Sequence, residues 1–357
     1  MPSGSRPDPL RCKRRPRRDK AATVRSFFCA ARAGEYSLEY NLLPVGRRVM
    51  TSTYNPGVHR FAKFVVAWTI LLFVAGALVT SNDAALSVPD WPKSFGTWFP
   101  SLRMLAGGAF FEHSHRVIAG GLGIFTLALA ILIWIKDNRR WLRWFGVIAV
   151  AGIAVQAVLG GEVVRQLLHY WLPVIHACFA QIVFGALLGM AVFTSRWWIT
   201  ERPQLADSGS PSIHAVAIAN AEVIFFQVVL GAGFRHQEIP LWPHVAGAFV
   251  VMGMVIWTAI VLRTRFGASP ELSRARILLH AIFGIQFLLG LGAYWSRIAT
   301  VGAAQPMPVM VWLTVIHTVV GALLFAFSVL IVLICYRIVP RGREVAAAAA
   351  PRQVPVE

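Results

Sequence analysis

The stretch "FEHSHRVIAGGLGIFTLALAILIW", residues 111–134, decides the fold. It packs a carboxylate, two histidines and an arginine into Glu112 to Arg116. It then stays apolar for the roughly 20 residues that a helix needs to cross a bilayer. Over the 357 residues, 57% are hydrophobic and the mean hydropathy is +0.61. The apolar residues come in blocks rather than at amphipathic spacing. Eight are read, at 61–79, 114–135, 145–164, 171–194, 214–233, 242–262, 277–294 and 309–334. Each is long enough to satisfy its own backbone as a helix in lipid. The expected fold is an all-α polytopic membrane protein whose eight transmembrane helices form two similar four-helix bundles, an N-terminal half at 61–194 and a C-terminal half at 214–334.

A net charge of +18 invites a nucleic-acid reading, but the charge follows topology. Residues 136–143, KDNRRWLR, carry four basic side chains. Arg263, Arg265, Arg274 and Arg276 follow the sixth block, and Arg337, Arg341 and Arg343 the eighth. These segments fall on one side. The alternate connections, near 80–110, 165–170, 234–241 and 295–308, hold fewer Lys and Arg. The positive-inside rule then predicts an integral protein of the bacterial cytoplasmic (inner) membrane with both termini cytoplasmic. Membrane lipid is the expected surrounding, and no nucleic acid is expected as a partner.

Residues 1–49 hold 12 Lys/Arg against 4 Asp/Glu and lack the apolar core of a secretory signal. With the pre-helix segment to residue 60 they read as a basic disordered tail, Met50 being an alternative start, and residues 335–357 read as a cytoplasmic tail. Cys12, Cys29, Cys178 and Cys335 place no pair in an outward connection and form no CxxC, so no structural disulfide is expected.

A repeat organises the chain. "QAVLGG" from Gln156, "QVVLGA" from Gln227 and "QFLLGL" from Gln286 each put Gly four residues after Gln, and "LFVAGA" from Leu72 has Gly76 in the matching place without the Gln. Each of these odd-numbered blocks is followed by an outward connection and an even-numbered block with a histidine near its start: His115, His176, His244 and His317. The repeating unit is a helical hairpin, used four times. The glycines read as positions where helix backbones approach. The glutamines read either as interhelical hydrogen-bond glue or as the lining of a cofactor pocket.

Four histidines recurring with the hairpin lie at one depth, two per half. Lone intramembrane histidines are usually satisfied core residues, but this recurrence points to function. Two neutral imidazoles facing each other across helices suit haem iron. Zinc would need four converging ligands, and no thiolate lies near. Phe110, Phe111, Gly120, Gly121 and Gly247 would suit flat macrocycle faces. His59, His214 and His280 read as headgroup-level residues, and His169 and His236 as parts of outward connections. His113, turned about 100° from its neighbours on a helix, reads as facing the rim or solvent. Glu112 shares a face with His115 and with Arg116. No other histidine helix has an acid there, so one half alone owns a group for proton transfer or for stabilising positive charge. The plain alternative is a Glu112–Arg116 pair at a helix N-terminus.

"EHSHR" at 112–116, "PDWP" at 89–92, the Gln-x-x-x-Gly hairpins and one histidine in each even helix together resemble the haem A synthase family over roughly 61–335. The resemblance implies an oxidoreductase of cytochrome oxidase assembly that oxidises the C8 methyl of haem O to the formyl of haem A. By position, it implies that His115 and His176 flank substrate haem O, that Glu112 is the catalytic carboxylate, that Arg116 supports the substrate site, and that His244 and His317 ligate the iron of a resident haem b. Haem O synthase would supply the substrate. The electron donor and acceptor stay unassigned, and a homo-oligomer stays open. Leu86 to Pro92 would cover the substrate half. Some members carry a cysteine pair in this loop. Here Val88 precedes Pro89 and no Cys is present, which excludes a thiol step there. The rival readings are a non-enzymatic b-type dihaem electron carrier and a haem chaperone.

Overall fold

The computed structural model describes residues 54–340. The expectations for residues 1–49, for Cys12 and Cys29, and for residues 341–357 lie outside the described residues. The chain forms α1 (Pro56–Ser81), α2 (Gly108–Lys136), α3 (Arg140–Arg165), α4 (Leu172–Phe193), the short α5 (Arg196–Ile199), α6 (Ile213–Arg235), α7 (Leu241–Phe266), α8 (Pro270–Ala299) and α9 (Pro308–Ile338). Eight of these helices are long and apolar enough to cross a membrane, and the protein is an integral membrane protein. Each expected block lies almost wholly inside one of them.

The helices outrun the apolar blocks because local caps close their ends. Asn55 accepts from the amides of Gly57 and Val58, with Pro56 opening α1 at a position that needs no N–H donor. Ser212 and Ser269 cap α6 and α8 in the same way. At the far end α9 continues to Ile338. Cys335 is therefore helical and buried rather than the start of a tail, and the amide of Leu205 donates to the Ile338 carbonyl at 2.8 Å. Cys178 and Cys335 are free and buried.

α1 packs on α2 and α4, and α3 joins α2 to α4. Likewise α6 packs on α7 and α9, and α8 joins α7 to α9. Between these two circuits, α1 and α4 reach α9, and α4 reaches α6. Burial follows: half of the apolar window of α4 is covered, against 6% of that of α8, so α4 is central and α8 peripheral. Ile277, Leu288 and Leu291 on α8 are exposed accordingly. Lipid tails are as apolar as leucine, so helix association here rests on close packing and interhelical hydrogen bonds. One such set ties the two circuits together: Ser81 of α1 meets Thr314 of α9 at 3.0 Å, and Arg235 at the end of α6 donates to Ser81 Oγ at 2.7 Å and to the Ala77 carbonyl at 3.0 Å.

Candidate functional site

The hairpin repeat has a physical cause at its glycines. A Cβ placed on Gly76, Gly160, Gly231 or Gly290 would lie 3.1, 3.0, 2.9 or 3.1 Å from Cε1 of His115, His176, His244 or His317 respectively. In all four, Nδ1 is the ring nitrogen nearer the glycine. In the three where Nε2 also comes near, it stands farther off, at 3.7 to 4.0 Å against 3.2 to 3.6 Å for Nδ1. Each odd helix thus offers bare backbone against which the next helix lays an imidazole edge-on, one pose used four times. A methyl group at any of these positions would push the ring away.

The glutamines one turn before those glycines reach the same rings. Gln156 Nε2 donates to the His176 carbonyl at 3.0 Å and comes within 3.2 and 3.3 Å of its two ring nitrogens. Gln227 Nε2 donates to the His244 carbonyl at 2.8 Å and lies 3.1 Å from Nδ1. Gln286 Nε2 lies 3.3 Å from Nε2 of His317. They join helices, as the glue reading expects, and they do so at the histidines. Leu72 stands in the corresponding place of the first repeat, and His115 Nδ1 is buried without a hydrogen-bond partner.

The rings of His244 and His317 stand 6.2 Å apart between centroids at 87°. One metal ion between two imidazoles needs two bonds of about 2 Å plus half a ring on each side, roughly 6 Å in all. His115 and His176 lie close enough for their charges to interact. Among the described residues no group of three or more His, Cys, Asp or Glu gathers as for a bare metal ion. Paired imidazoles with an unpartnered Nδ1 at His115 and His317, backed by glycine, fit a ligand that brings the remaining coordination itself, as a porphyrin iron does.

Glu112 is 4% exposed. Its Oε1 accepts from Arg116 at 2.6 Å and its Oε2 from the Val88 amide at 2.9 Å. Arg116 also donates to the carbonyls of Val88, Asp90 and Lys93. The pair therefore does more than cap α2: it clamps the connection between α1 and α2. His113 joins the same clamp from the rim: it stays part-exposed, with its Nδ1 meeting buried Ser94 Oγ at 2.9 Å. Trp91 lies on Gly161, where a Cβ would come within 2.6 Å of the indole, so the loop reaches from α2 to α3 beside the His176 helix pair. Within the loop, the amides of Phe95 and Gly96 donate to the Asp90 carboxylate at 2.7 and 2.8 Å. Burial pushes that carboxyl up, but these amides and the Arg116 charge outweigh it and hold it below the usual carboxylate range.

Of the five flat-face candidates, Gly121 lies under the Trp68 indole and Gly247 against Gln227, while Gly120 faces open space. Phe110 is exposed and packs edge-on against Phe111. His59 bonds the Ala191 carbonyl through Nδ1 at 3.1 Å, His214 is buried against Tyr336, and His280 is exposed. Sequence reasoning passed over Arg235 and placed His236 in a connection. The two sit at the seam between the helix circuits, Arg235 near His317 and His236 near His176. Burial, then the charges of Arg235 and His176, holds His236 down at about 4. An arginine followed by a histidine at the end of an apolar block was the available signal.

The family model described as cytochrome oxidase assembly protein, COX15-CtaA, matches residues 60–241, from α1 to the start of α7. The chain belongs to this family. The resemblance to haem A synthases drawn from the motifs is thereby borne out. A Listeria welshimeri protein named heme A synthase is 28% identical over 209 residues, 53% of this chain and 66% of its own length. A Novosphingobium aromaticivorans protein of the same name is 24% identical over 332 residues, 74% of this chain and 91% of its own length. A third, from Bacillus licheniformis, is 30% identical over 121 residues, 33% of this chain and 39% of its own length. The match thus spans just under two thirds of the Listeria relative.

Proposed function

We propose that this protein is a haem A synthase of the bacterial inner membrane, with both termini cytoplasmic, which oxidises the C8 methyl of haem O to the formyl of haem A. The observation that carries the reading is the fourfold glycine–imidazole contact, coupled to a carboxylate that occurs beside only one of the four histidines. His115 and His176, in the half spanning 61–194, hold substrate haem O. His244 and His317, in the half spanning 214–334, hold a haem b, which when bound supplies one-electron transfer.

Glu112 sits one helical turn from His115 as a fixed negative charge. A methyl carbon losing electrons becomes electron-poor, and a preorganised carboxylate favours that state over the starting one. Arg116 and the Val88 amide hold the carboxylate in place, so little reorganisation is needed. The loop from Val88 to Thr97, with Trp91 on Gly161, covers this half and limits water. Family membership and the names carried by relatives support the same reading. The test is haem extracted from cells that make this protein together with a haem O synthase: haem A is expected, and haem O unchanged would overturn the proposal.

One observation favours a second reading. Both Glu112 oxygens are already engaged by Arg116 and Val88, as in a purely structural clamp. In a dihaem electron carrier or a haem chaperone the clamp would be the whole role of Glu112, and the extracted haem would stay unmodified.

A further inference from the structure

Three of the four repeats place a glutamine on the imidazole and one does not. Gln156, Gln227 and Gln286 each touch the ring of the following histidine, and each has its Oε1 buried without a partner. Leu72 stands in that place of the first repeat. It is partly buried among apolar neighbours and offers no acceptor. The Gly76 carbonyl on α1 accepts from Thr80 Oγ1 at 3.3 Å. The first repeat copies the glycine contact but drops the hydrogen-bonding residue.

That difference matters once an iron takes one ring nitrogen. The other nitrogen then carries a proton, which in a firmly held ligand goes to a carbonyl or carboxylate. An amide that bridges the histidine to the neighbouring helix likewise fixes the orientation of the ring. Gln227 does so on His244: its Nε2 donates to the His244 carbonyl at 2.8 Å and lies 3.1 Å from Nδ1, tying both the backbone and the ring of the histidine to α6. Gln156 ties the His176 carbonyl and ring in the same way, and Gln286 reaches the His317 ring at Nε2. His115 has no such amide, so its ring orientation is the less fixed.

We propose that Leu72 makes His115 the labile axial ligand of the first histidine pair, so that the porphyrin held there exchanges while the one held by two glutamine-backed histidines stays. This deepens the proposed function, on which it rests: a substrate must leave as product and a cofactor must not. Leu72 and the three glutamines are positioning residues, acting through the histidines.

The experiment uses the full chain, co-expressed with a haem O synthase and purified with its haems, mixed with excess apomyoglobin as haem acceptor. Extraction distinguishes haem B from haem O and its products, so each site's loss is followed separately. Losing or gaining a residue behind a metal ligand commonly changes affinity about 10–100-fold. Leu72→Gln is expected to slow loss of the first porphyrin by about that factor and leave haem B retention unchanged. Gln227→Leu is expected to speed haem B loss by about the same factor and to alter its low-spin spectrum. Equal exchange in Leu72→Gln and wild type would overturn the inference. So would a Gln227→Leu protein that loses stability with its haem B spectrum and retention intact, since glue alone explains that. If Leu72→Gln fails to accumulate, the Gln227 and Gln286→Leu proteins decide by the same criterion. A chain that retains its haem when His115, His176, His244 and His317 are each replaced by Ala would overturn the ligand reading itself, and this inference with it.

Discussion

Arg116 and Glu112 form a 2.6 Å ion pair one turn apart on α2, and through it the guanidinium reaches three loop carbonyls while the carboxylate takes a loop amide. The helix entrance and the connection from α1 are therefore one unit. Their side chains are 14% and 5% exposed, which sets this pair apart from a surface salt bridge.

Arg116→Ala should open that unit. Removing one partner of a buried pair costs roughly 3–5 kcal/mol, because the other charge is stranded. Limited proteolysis should cut between Val88 and Thr97 faster than in wild type, while Arg165→Ala, which breaks an exposed pair with Glu162, should change nothing. Wild-type resistance in Arg116→Ala would remove the clamp from the account.

Glu112→Gln removes the charge and the Arg116 pair while keeping one arm of the clamp. The amide oxygen still accepts from Val88, but the charge is gone. Conversion of haem O should fall on the order of 10²–10³-fold, with the haem of His244 and His317 retained. A normal yield of haem A from Glu112→Gln and from Glu112→Ala would confine Glu112 to the clamp.

His244→Ala and His317→Ala should each abolish the low-spin absorption of the resident haem, since the rings stand at the 6.2 Å separation that a shared ligand requires. His115→Ala and His176→Ala should leave that absorption in place. Loss in all four variants alike would mean that the two pairs are not separate sites.

Gly231→Ala should disturb the same haem without touching it. A Cβ there would stand 2.9 Å from His244 Cε1, so the ring must shift. Gly253→Ala is the matched control on α7, where a Cβ meets nothing within 4 Å. It should be neutral or stabilising by about 0.5–1 kcal/mol. Equal haem content in the two variants would show that the glycine contact serves packing alone.

Asp90 gives the loop a pH dependence of defined sign. Its carboxyl is held below the usual range, so the carboxylate's contribution to loop order is complete above that range. It is lost as pH falls through the lowered value. Hydrogen exchange at the Phe95 and Gly96 amides should accelerate at the acid end, and Asp90→Asn should show the faster exchange already at neutral pH. A pH-independent wild-type rate would contradict the assignment.

The sequence by itself determined the spans, the hairpin repeat and the local pairing of Glu112 with Arg116. These depend on hydropathy over about 20 residues and on the i, i+4 geometry of a single helix. The Gln, Gly and His positions were visible as a pattern, yet two readings of the glutamines stayed open. The interhelical bonds themselves depended on which helix lies against which. Gln156 and His176 are joined across α3 and α4, and the Gln227–His244 and Gln286–His317 pairs repeat that contact. Tertiary structure alone turned His113 toward Ser94, laid Trp91 on Gly161 and brought Arg235 to Ser81 across 154 positions of chain. Such contacts leave no periodic trace in sequence, because a buried polar group seeks whichever partner the packed helices bring near, however distant along the chain.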